Sequence, residues 1–107
     1  MSLSALPKQP TGLIASDVTA SSVKLNWNSG NVDPVLSYVV QFRQKYTPGT
    51  IFDEIVDVTA TEYSILGLNA HTMYEFRVVA VNGIGRSQAS ASVDVTTGEL
   101  GEWGTRG

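Results

Sequence analysis

Cysteine is absent from the 107 residues. That excludes thiol catalysis, cysteine-ligated metal and any disulfide framework. It leaves the compartment open, because a domain of this length can stand on its apolar core alone. Charge is scarce as well: 16% of residues are Asp, Glu, Lys or Arg, and seven basic against ten acidic side chains give a net charge of −3. Nucleic acid, which calls for a clustered basic face, is a poor partner for such a chain. No apolar run reaches the roughly 18–20 residues of a membrane-spanning helix, so this domain is not expected to insert in a bilayer. The first ten residues, "MSLSALPKQP", lack the basic start and apolar centre of a secretory leader. Histidine occurs once, as His71. With no partner nucleophile and no companion ligands it points to neither catalysis nor metal, and reads as an exposed turn residue.

What is present is alternation. The segments "TGLIAS", "SVKLNW", "VLSYVVQFRQ", "IFDEIVDV", "TEYSILGL", "TMYEFRVVAVN" and "ASASVDVTT" are rich in β-branched and aromatic residues, and turn formers separate them. Period-2 alternation predicts inward Leu13 and Ala15; Val23, Leu25 and Trp27; Leu36, Tyr38, Val40 and Phe42; Tyr63, Ile65 and Leu68; Tyr74, Phe76, Val78 and Ala80; and Ala91, Val93 and Val95. Seven strands at this spacing, with no segment demanding a helix, argue an all-β antiparallel sandwich of Greek-key type. Residues 10–97 form the domain. Residues 1–9 read as an expression scar (Met1-Ser2-Leu3) followed by an interdomain linker with Pro7, and Pro10 starts the domain. Residues 98–107 read as a glycine-rich C-terminal linker or tail.

Tyr74 stands at the head of the longest alternating run, where a Greek-key sandwich places a tyrosine whose hydroxyl turns back to an upstream backbone group. Leu68 plugs the same corner. The residue two after the tyrosine is Phe76 and not cysteine, and the tryptophan, Trp27, falls on the second strand with Tyr38 on the third. This ordered set ("LIASDVTASSVKLNW", "SYVVQF", "YSILGL", "TMYEFRVVAVNGIG") resembles the fibronectin type III domain, an immunoglobulin-like fold. Over "NWNSGNVDPVLSYVVQFRQ" and "TATEYSILGLNAHTMYEFRVVAVNGIGRS" the chain is similar to an early repeat in the ectodomain of LAR-type receptor protein tyrosine phosphatases. The resemblance implies a non-catalytic module on the extracellular side of the plasma membrane, part of a single-pass receptor whose phosphatase domains lie elsewhere. Its implied neighbours are immunoglobulin or fibronectin domains of the same chain, and its implied partner is another cell-surface or matrix protein. No cofactor is expected, and the isolated domain is expected to be monomeric. A repeat of an intracellular or muscle scaffold, or an accessory domain of a secreted enzyme, is the alternative.

Several residues are candidates for contact. Alternation turns Val39, Gln41 and Arg43 outward from the third strand, and Met73, Glu75, Arg77, Val79 and Val81 outward from the sixth. Val39, Val79 and Val81 either form an apolar patch rimmed by Arg43 and Arg77 or are single valines of the kind any pleated surface carries. "NGIGR" joins two strands and precedes no helix, which rules out a phosphate cradle. Its glycines allow positive φ in a hairpin, Asn82 suits a left-handed conformation, and Ile84 and Arg86 are open to a partner. Asp53 and Glu54 face opposite ways, so with Asp57 they read as a charged edge strand and not a cation site. Trp103 is either a remnant in the tail or an anchor. No Asn-x-Ser/Thr sequon occurs.

Overall fold

The computed structural model describes residues 5–99; Met1-Ser2-Leu3 and Trp103 lie outside them. Seven strands follow in order: β1 (Thr11–Ser16), β2 (Val23–Asn28), β3 (Ser37–Gln44), β4 (Asp53–Val58), β5 (Glu62–Ile65), β6 (Met73–Val81) and β7 (Val93–Thr96). They form two antiparallel sheets, β1-β2-β5 and β4-β3-β6-β7. The longest pairing joins β3 and β6 from Ser37↔Val81 to Gln44↔Tyr74, in a ladder where hydrogen-bonded and non-hydrogen-bonded pairs alternate. Between the sheets Val23, Leu25 and Trp27 of β2 meet Tyr38 and Val40 of β3 and Tyr74, Phe76, Val78 and Ala80 of β6. Aromatic contacts join the layers and run along them. Trp27 meets Tyr38 edge-on with centroids 5.5 Å apart, and Phe76 stacks on both Phe42 and Tyr74.

Two bulges reset the alternation. In β1, Gly12 and Leu13 together face one residue of β2, between the pairs Thr11↔Asn28 and Ile14↔Asn26. Gly12 sits at φ 65°, where a side chain would be strained, and a Cβ there would lie 2.6 Å from Asn28 Nδ2 and force that side chain to move, which favours glycine. In β4, Val56 and Asp57 share the space opposite Val39, and Asp57 takes φ 62°. Ile55 and Val58 can therefore both pack on the core although they are three residues apart.

Three inward assignments need correcting. Leu36 is 68% exposed: β3 begins one residue later, and the Leu36 backbone N–H donates to the Val81 carbonyl at 2.8 Å. Tyr63 lies opposite Leu25 but on the edge strand β5, and its ring stays partly in solvent. Ala91 is exposed and precedes β7. The chain ahead of it does not ladder normally, because serine hydroxyls replace backbone acceptors. Val78 N–H donates to Ser90 Oγ and Ala80 N–H to Ser87 Oγ, at 3.0 and 2.9 Å.

Candidate contact surfaces

The outer face of β4-β3-β6-β7 is a polar lattice. Gln41 and Arg77 are cross-strand partners, and Arg77 Nε donates to Gln41 Oε1 at 2.6 Å. Gln41 Nε2 donates in turn to Glu54 Oε2 at 2.8 Å on β4. Arg43 Nε pairs with Glu75 Oε1 at 3.0 Å, and Lys45 with Asp94 at 3.0 Å. Phe52, which precedes β4, shares the face of Glu54. The guanidinium carbons of Arg77 and Arg43 lie 3.9 and 4.3 Å from its ring centroid, a double cation–π contact. Alternation alone did not reveal Phe52, although its i, i+2 relation to Glu54 was a usable signal.

The valine patch is a correction. Val39 and Val79 are 2% and 4% exposed, and Val81 is half-buried. Arg86 explains the cover. It bridges Val81 on the side of β6 away from β3, yet its guanidinium donates bidentately to Glu54 at 2.8 and 3.2 Å. That side chain therefore reaches across β6 and β3, over the paired valines Val79 and Val39. The Arg86 and Gln41 hydrogen bonds hold the Glu54 carboxyl below its ordinary value of 4.5. A depressed carboxylate stabilises the fold above its unfolded pKa and loses that contribution as pH falls through the folded one. Glu54→Gln is expected to cost under about 1 kcal/mol at pH 7 and to flatten the decline between pH 5 and 3, as read by denaturant melts at each pH. Val79→Lys is expected to lower stability by about 1 kcal/mol. That is the low end for overpacking, since the lysine stem can extend to solvent; an unchanged denaturation midpoint would show the valine to be free.

The β6–β7 loop also differs from expectation. Asn82 is buried and has no left-handed backbone; its side chain does the work. Oδ1 accepts from the N–H groups of Ile84 and Gly85 at 2.8 and 3.2 Å, and Nδ2 donates to the Ala5 carbonyl at 3.0 Å. Ile84 and Arg86 are exposed. Nothing local in "NGIG" betrays the bond to Ala5, 77 positions away.

At the opposite pole Tyr74 is buried, and its hydroxyl accepts from the Asn69 N–H at 2.8 Å. Leu68 packs beside it. Thr97, a buried residue the alternation does not single out, donates to the Asn69 carbonyl and accepts from the Thr72 N–H. His71 is exposed at φ 51°, and its Nδ1 lies 3.0 Å from Glu99. Among the described residues no group of His, Asp or Glu is placed to hold a metal ion.

A Greek-key sandwich closed by a tyrosine corner, with its loops gathered at two poles, is an immunoglobulin-like β-sandwich module. The chain belongs to the fibronectin type III domain family, whose model matches residues 8–96. It is 50% identical over 99 residues to receptor-type tyrosine-protein phosphatase F of Danio rerio, covering 92% of this chain and 5% of that protein. It is 40% identical over 94 residues to tyrosine-protein phosphatase Lar of Drosophila melanogaster, covering 88% and 5%. The solution structure of the fibronectin type-III domain of human fibronectin type III domain containing protein 3 superposes with a TM-score of 0.78 at 25% identity, covering 97% of each chain. The chain thus spans about a twentieth of the receptor phosphatases it matches.

Proposed function

We propose that this domain is a non-catalytic extracellular module of a cell-surface adhesion and signalling receptor of the receptor-type tyrosine phosphatase kind. It acts there as a rigid spacer that orients neighbouring immunoglobulin or fibronectin domains, and it offers a surface to another cell-surface or matrix protein. The observation that carries the reading is the 50% identity to a receptor phosphatase over 92% of the chain. The geometry supports the spacer role. The chain passes Asn82 and Asn31 at one pole and leaves beside Thr19 and His71 at the other, where Gly98 bonds both backbones. Ile84 and Arg86 are exposed and Arg43 and Arg77 partly so, which leaves them available for contact, while Val39 and Val79 are buried. With no cysteine in the chain, no thiol nucleophile is available to it.

A membrane-impermeant amine reagent tests the placement. On intact cells expressing the parent protein, the exposed Lys8 and the half-buried Lys24 are expected to be labelled. Labelling only after permeabilisation would assign the domain to the cell interior and overturn the reading.

A further inference from the structure

The first described residues do not trail away from the sandwich. Asn82 holds the Ala5 carbonyl, and Pro7 is buried. Asn31 clamps Lys8 twice: its Oδ1 accepts from the Lys8 N–H at 2.7 Å, and its Nδ2 donates to the Lys8 carbonyl at 3.0 Å. The two asparagines belong to different loops, β6–β7 and β2–β3. Segment 5–10 is therefore tied at two separate points across the pole where β1 begins. These ties are polar and consume backbone groups. What they leave outward is apolar: Leu6 is 55% exposed, Ile84 53% and Val32 99%. Leu6 Cδ2 lies 3.0 Å from where a Cβ on Gly85 would stand, next to Ile84, and Val32 adjoins the clamp residue Asn31. Single exposed apolar residues are ordinary. Leu6 and Ile84 flank Gly85, and Val32 follows the clamp residue Asn31, so all three belong to the segments that meet at this pole.

We propose that this pole seats the folded domain that precedes Ala5 in the parent chain, packed on Leu6, Val32 and Ile84 so that the two domains meet at one set angle. The inference rests on the receptor-module reading above and on relatives some twenty times longer than this chain. Size selects this occupant. Three side chains fall short of the roughly 1,000 Å² that a free-standing partner or a second copy needs. A domain joined through Ala5 is instead held at an effective concentration in the millimolar range, where a small contact suffices. Chemistry agrees, because the patch itself carries no charge and the exposed Lys8 and Asp33 lie at its margin.

Hydrogen–deuterium exchange, run on the isolated 107-residue chain and on the parent ectodomain, tests the proposal. Peptides covering 5–9 and 82–86 are expected to exchange about tenfold more slowly in the ectodomain, with β6 equally protected in both. Ile84→Asp in the ectodomain is expected to return them to the isolated-chain rate. Leu6→Ser repeats the test away from the Asn82 turn, and both variants in the isolated chain report any disturbance of the loop itself. Equal protection in the two contexts overturns the proposal. So does a dimer of the isolated chain that Ile84→Asp dissociates, since that would assign the patch to a second copy. A parent with no folded domain before Ala5 overturns the receptor reading as well, whereas a folded neighbour that leaves the patch unprotected overturns the set angle alone.

Discussion

Replacing Trp27 with alanine is expected to cost about 3–5 kcal/mol, a large share of the stability of a domain this size. Trp27 is 4% exposed and lies between the sheets, edge-on to Tyr38. Truncation would open a cavity beneath a ring that no other residue can replace, because β2 and β3 are fixed by pairing on their other sides. One detail separates area from polarity. Trp27 Nε1 is buried with no hydrogen-bond partner among the described residues. Trp27→Phe removes that orphaned donor while keeping most of the ring, so its cost is expected to fall well below that of alanine. Urea melts of the three proteins check this; an alanine variant melting like the parent would remove Trp27 from the core.

Tyr74→Phe is expected to cost about 1–3 kcal/mol. The ring and its stack on Phe76 survive the change. What is lost is one acceptor, leaving the Asn69 N–H without the hydroxyl that lies 2.8 Å away. The loss is local but not isolated, since Thr97 holds the Asn69 carbonyl on the other side of the same peptide turn. Amide exchange at Asn69 is expected to quicken more than exchange at Val78 in the middle of β6, and equal changes at both would point to a global effect. An unchanged midpoint would contradict the tyrosine's role in the corner.

The frame was legible because it is written in period-2 runs, and each of the seven runs became a strand. Tyr74 and Leu68 were legible for a related reason: their spacing to one another is local. Legibility failed where the deciding contact comes from far away in the chain. Val39 and Val79 alternate outward as expected, but whether they are exposed depends on Arg86 reaching across two strands to Glu54. Asn82 has the residue type of a left-handed turn, but its partner is Ala5. Bulges fail differently. Aspartate at 57 adopts positive φ without the glycine that would announce it, which shifts the facing of β4 by one residue. Leu36 and Ala91 sit one or two residues beyond strand ends, where the alternation continues but the opposite sheet does not cover them.

A rigid spacer must include the incoming segment in its rigid body, so the backbone dynamics of that segment are the most direct test. Nitrogen-15 relaxation on the isolated chain is expected to give order parameters near about 0.85 for Leu6, Lys8 and Gln9, matching those of β3 and β6. Values below about 0.6 for these three amides, with the strands still rigid, would make residues 5–9 a loose tether and contradict the rigid spacer.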